Sequence, residues 1–244
     1  MRQLFLTLAS VVLLLSGCRP APSAGAIAPP VIETGVDPDS WALVPAGEFP
    51  FGQHDHMTLV EDDYEIMVTD VTNAQYARFL NEALERGEVR TGPVEVSAGE
   101  AVEMREGVAG FYPGDPFDGY KHEEEITAGE KLYVPLDEEG LRLAFDGAHF
   151  EAPPEYANHP MTMVTWFGAN AYCQFYGWRL PTEVEWEKAA RGTEIVEGRG
   201  LPFPWGTEIA PNNANYHSSF DLFEKLYGKL GNTTPAGFYN GRTY

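Results

Sequence analysis

The residues best suited to redox or nucleophilic chemistry are the two cysteines, Cys18 and Cys173. Two thiolates held side by side would bind Cu(I), which prefers soft sulfur donors, and one thiolate beside a base would be a nucleophile. The spacing supports neither arrangement. Cys18 closes an apolar leader. Cys173 falls in the series Trp166, Ala169, Cys173, Tyr176, whose steps of three and four place its thiol on an apolar helix face as a buried structural group. Among the six histidines, His54-Asp55-His56 alternates so that both imidazoles lie on one side of a strand. Zinc would need one or two more ligands and no paired partner is evident, so the triplet reads as a surface loop. His122, His149, His159 and His217 lack i, i+4 pairing and a Ser or Cys partner, which leaves a hydrolase triad without support.

Carboxylates dominate the remaining chemistry. The net charge is -21, with clusters at Glu61-Asp62-Asp63, Glu123-Glu124-Glu125 and Asp137-Glu138-Glu139, so nucleic acid and anionic headgroups are excluded as natural partners. Hard oxygen ligands suit calcium, but no spaced loop motif is present, and the clusters read as solvated surface with no metal assigned to them.

The elements that must position these groups are legible. Thr165 caps a helix running through Tyr176, where Gly177 stops it. Thr182-Glu183-Val184-Glu185 is a capping box opening a helix to about Arg191, with Gly192 as the C-terminal stop. A second box, Thr72 with Gln75, opens a helix on which Tyr76, Phe79, Leu80, Ala83 and Leu84 share one face. Between them, Lys131-Leu132-Tyr133-Val134 and Leu141 to Phe145 read as short strands, with Asp146-Gly147 as a hairpin turn. Aromatics in this stretch, Phe111, Tyr112, Phe117 and Tyr120, either wall a peptide- or sugar-contacting groove or pack the stretch onto the domain, the second being the ordinary role of such rings. With 244 residues and 43% hydrophobic content, one globular domain follows the leader, and no internal repeat is evident.

The two-helix unit followed by Phe203-Pro204-Trp205-Gly206 resembles the formylglycine-generating-enzyme family, also called the sulfatase-modifying-factor domain. Further segments resemble the family in the same order: Leu43 to Phe49 with Phe51-Gly52, Val71 to Leu80, Asn213-Ala214-Asn215-Tyr216, and Thr233-Thr234-Pro235-Ala236-Gly237. The resemblance implies an α+β, C-type-lectin-like fold with little regular secondary structure, over residues 41–244, with a family-internal insertion around 86–158. It also implies a structural calcium held by the side-chain oxygen of Asn215 and a carbonyl at Tyr216, with Asp221 the acidic residue that follows before Pro235. Catalytic members use a closely spaced cysteine pair near their C-terminal end to bind Cu(I), activate O2 and oxidise a sulfatase cysteine to formylglycine. Cys173 matches neither position, and the Trp-rich blocks that would follow Arg242 do not occur in this sequence, so the domain is expected to lack its C-terminal part. Copper is expected only where a downstream cysteine pair exists.

The first residues read as an export signal. Arg2 precedes an apolar run from Leu4 to Leu15 that is too short to span a bilayer. Leu15-Ser16-Gly17-Cys18 resembles a bacterial lipoprotein box, which implies lipidation of Cys18 and a signal peptide over 1–18; two or three acyl chains would hold the protein to the membrane essentially permanently. Pro20, Pro22, Pro29 and Pro30 mark a semi-extended tether over 19–40, and Arg19 favours the outer membrane where two membranes exist. The expected function is that of a membrane-anchored exported protein with a non-catalytic binding or structural role and a protein or peptide partner. The alternatives are a fragment of a copper-dependent formylglycine-forming oxidase and a truncated piece with no function of its own.

Overall fold

Thr72 ends an extended stretch, and its hydroxyl accepts the Gln75 amide while the Gln75 side chain accepts the Thr72 amide at 2.8 Å, so α1 (Asn73–Glu85) starts where the capping box demands. Its apolar face, Tyr76, Phe79, Leu80 and Ala83, is buried, with Leu84 partly so. In the computed structural model, residues 29–98, 101–116, 125–216, 223, 225 and 233–240 are described. Cys18 with its leader, Phe117, Tyr120, His122, His217 and Asp221 lie outside the described residues.

Before α1 come four short strands, β1 (Trp41–Val44), β2 (Gly47–Phe51), β3 (His56–Val60) and β4 (Tyr64–Met67), paired antiparallel as β1 with β4 and β2 with β3. After α1, β5 (Val89–Ala98), β6 (Ala101–Tyr112) and β7 (Gly129–Pro135) form an antiparallel sheet in the order β5-β6-β7. Next are β8 (Ala144–Phe145) and β9 (Phe150–Glu151), which pair around Asp146-Gly147. There the Asp146 carboxylate accepts the amides of Ala148 and His149, both at 2.8 Å. Two helices follow, α2 (Trp166–Phe175) and α3 (Glu183–Arg191), then a hairpin of β10 (Ile195–Val196) and β11 (Arg199–Gly200). This mixed α/β arrangement, with α1 to α3 and small sheets among the described residues, matches the expected fold class.

The stretch 86–158 packs onto the domain: Val89, Val108, Tyr133, Val134 and Phe150 share one core with the buried face of α1 and Tyr172 of α2. The β5-β6 hairpin is not among the expected strands; its β5 holds Pro93, which lacks a ladder donor, at the sheet edge where that loss is tolerated. Leu141 to Leu143 also stay outside any strand, leaving only Ala144-Phe145.

The buried stripe of α2 is rotated from the expected one. Gly168, Asn170 and Tyr172 are buried, whereas Trp166 is 52% exposed. The cause is a close approach: a Cβ on Gly168 would stand 2.6 Å from the Tyr133 carbonyl and 2.7 Å from the Tyr76 hydroxyl, so the glycine lets α2 lie directly on β7 and carries Tyr172 into the core. Helix α3 behaves as expected. Thr182 and Glu185 form both halves of the capping box, and Gly192 leaves the helix at φ 67, a conformation that favours glycine.

Candidate functional site

Helix α3 is braced from both sides. Lys188 is buried, and its ammonium donates to the carbonyls of Pro45 at 2.5 Å and Gly47 at 3.0 Å, fixing the turn into β2. Arg191 donates to Asp55 at 2.7 Å, to Glu187 at 2.5 Å and to the carbonyls of Gly52 and Leu201, while Arg199 reaches the other Asp55 oxygen at 3.0 Å. These arginines, Arg191 foremost, hold the Asp55 carboxyl below the usual range. Asp55 is therefore committed to structure. His54 and His56 flank it as exposed rings 6.1 Å apart; His54 stands in the turn and His56 is the first residue of β3, so the expected surface loop ends before it.

With α3 fixed, a groove of about 1220 Å³ opens between β4, the loop leading into α3, and the segment Thr234 to Tyr239. Trp41, Trp178, Trp186 and Trp205 all line it and all remain exposed. Trp41 and Trp178 meet edge to face at 4.8 Å. Arg179 grips Glu185 through two bonds of 2.7 and 2.5 Å, and that ion pair, followed by the Thr182 cap, holds the Glu185 carboxyl down to about 2. The hydroxyl of Thr69, another lining residue, is buried and unpartnered. Exposed tryptophans around a concave surface with a few fixed polar groups suit recognition of a flat or extended ligand.

Cys173 lies half-buried at the groove, and burial pushes its thiol up, so the protonated form prevails at neutral pH. Cu(I) calls for paired thiolates. Cys173 is the one thiol among the described residues, and these residues do not fit a copper centre. Asn215 and Tyr216 are half-buried and adjoin Ala214, which lines the groove. Among the described residues no group of three or more His, Cys, Asp or Glu gathers to hold a metal ion.

Sequence reasoning missed two features. The first is the gathering of tryptophans from four separate segments, for which periodicity carries no signal. The second is His159, buried at 1% exposure, with Nδ1 2.8 Å from the Thr233 hydroxyl and its ring against Tyr156 and Phe223. Burial lowers its pKa from 6.5 to about 4. Its carbonyl accepts the Asn73 amide and side chain at 2.9 and 3.0 Å, tying the start of α1 to the segment before α2.

Comparison with known proteins places this architecture. The family model of the sulfatase-modifying factor enzyme 1-like domain matches residues 31–243. Mouse formylglycine-generating enzyme is 28% identical over 192 residues, 71% of this chain and 44% of that protein. The inactive C-alpha-formylglycine-generating enzyme 2 of Bos taurus is 46% identical over 61 residues, 25% of this chain and 19% of the relative. The serine/threonine-protein kinase Pkn1 of Chlamydia trachomatis is 48% identical over 66 residues, 27% of this chain and 10% of the relative. The chain spans less than half the length of each of these relatives. By the match over residues 31–243 and the mixed fold built around α1 to α3, the chain belongs to the sulfatase-modifying factor enzyme 1-like domain family.

Proposed function

We propose that this chain is an exported, lipid-anchored protein whose domain binds a polypeptide in the tryptophan-lined groove and carries no catalysis of its own in these residues. The observation behind this reading is the pairing of an open aromatic groove with a lone, half-buried, protonated thiol: the surface is equipped to hold a chain, and the soft-ligand pair needed to activate oxygen is missing from it. Relatives that match parts of this chain carry names as different as formylglycine-generating enzyme, an inactive C-alpha-formylglycine-generating enzyme and a serine/threonine-protein kinase, so the family supports the fold and leaves the activity to the site.

The anchor is proposed from Cys18 and the apolar run before it. Among the described residues no helix is long and apolar enough to cross a membrane. Metabolic labelling with an alkyne palmitate analogue in a bacterial host tests it. The wild type is expected to carry label and partition with membranes, and Cys18→Ser to lose both. Equal labelling of the two proteins would refute the anchor.

A further inference from the structure

We propose that the groove takes an extended, basic polypeptide strand of a partner protein, added as a third strand to the open edge of β4. This rests on the reading of the groove as the binding site and specifies how that site works.

Among the described residues the sheet containing β4 has two strands, β1 and β4. The Val68 amide donates to the Ser40 carbonyl at 3.1 Å, which marks Ser40 and Val68 as a hydrogen-bonded pair of the antiparallel ladder. Alternation along the register then makes Ala42 with Ile66 and Val44 with Tyr64 the next such pairs. Glu65 and Met67 therefore turn their N–H and C=O groups away from β1, and no hydrogen bond among the described residues reaches them. Unpaired strand edges are usually charged, bulged or covered, because they template pairing with another chain. Here the edge lines the groove, beside the unpartnered Thr69 hydroxyl. A strand laid along it would gain ladder bonds from Glu65 and Met67, the main-chain part of strand addition, while its side chains met the groove walls.

Charge sets the sign of the partner. Glu65 and Asp70 are exposed carboxylates in the groove without an ion pair among the described residues, whereas Glu185 is neutralised by Arg179. The chain as a whole carries -21. Lysine or arginine on the incoming strand would be drawn to this field and could lie over Trp41 or Trp178, so alternating basic and apolar residues fit best.

The test uses the full chain and three synthetic octapeptides: alternating Lys and Val, the same peptide N-methylated at alternate amides, and a Glu-for-Lys version. Tryptophan fluorescence reports groove occupancy, and amide hydrogen exchange reports the edge. The Lys-Val peptide is expected to slow exchange at Glu65 and Met67 by about tenfold or more, and N-methylation to weaken binding by about tenfold, the worth of one or two ladder bonds. Glu65→Pro should weaken binding similarly while keeping the circular dichroism of the wild type, because the lost N–H faces away from β1. Preference for the Glu peptide overturns the basic partner. Fluorescence change without amide protection, and without a penalty for N-methylation, overturns strand addition but leaves the groove as a binding site. No fluorescence change with any peptide overturns both. Self-association of the free protein that Glu65→Pro abolishes would make a second copy the occupant and overturn the partner strand.

Discussion

Phe79→Ala is expected to cost about 3–5 kcal/mol of folding free energy, the range for removing a buried aromatic ring and leaving a cavity. Phe79 is 2% exposed and stands 5.2 Å from Tyr76, 5.6 Å from Tyr172 and 5.2 Å from Phe175, all in edge-to-face geometry. With Tyr76, which stacks on Tyr172, it joins α1 to α2, so its loss removes packing on both helices together. Against a typical domain stability of about 5–15 kcal/mol, this is a large fraction of the total. Urea denaturation followed by circular dichroism measures it. Phe79→Leu, which keeps most of the volume, should cost about 1.5 kcal/mol or less. Phe111→Ala, at a ring 69% exposed, should be close to neutral. Equal midpoints for Phe79→Ala and Phe111→Ala would show that the core is wrongly placed.

The second large effect is acid sensitivity through His159. Its pKa is lowered on folding, from the ordinary 6.5 to about 4, so the unfolded chain binds the proton more tightly. Its contribution is complete above pH 6.5 and is lost as pH falls toward 4, a total of about 3 kcal/mol at ~1.4 kcal/mol per tenfold change in proton affinity, with about 2 kcal/mol gone by pH 5. The cause is burial: Nε2 has no partner among the described residues, Nδ1 lies 2.8 Å from the Thr233 hydroxyl, and the Arg142 cation repels a second positive charge. The Glu185 carboxyl acts in a separate, lower window, from about 4.5 down to about 2. Unfolding free energies at pH 7 and pH 5 isolate the histidine. The wild type should lose about 2 kcal/mol more than His159→Gln over that interval, and parallel losses in the two proteins would remove His159 from the account.

How much of this could be read from the chain depended on whether the signal was local. Both capping boxes, the Thr165 cap and the Gly192 stop are set by hydrogen bonds within a few residues, and each stands where the sequence put it. The buried face of α1 followed from its period. The face of α2 did not, since Gly168 approaches Tyr133 from a distant strand and turns the helix about its axis, which no count of threes and fours contains. The β5-β6 hairpin carries Pro93, whose acceptability in a strand depends on lying at a sheet edge. The candidate site was least legible of all. Trp41, Trp178, Trp186 and Trp205 come from four segments, and the open edge of β4 exists only because β1 pairs with one side of it and no described strand pairs with the other. The steps of three and four placed Cys173 on a buried helix face, and it stands half-buried at the groove.

That these residues bind rather than oxidise is tested most directly by oxygen uptake of the protein with equimolar Cu(I) and a cysteine-containing peptide. Uptake equal to that of Cys173→Ser, and no greater than that of copper and peptide alone, is the predicted result. Copper-dependent, peptide-dependent uptake that vanishes in Cys173→Ser would contradict it.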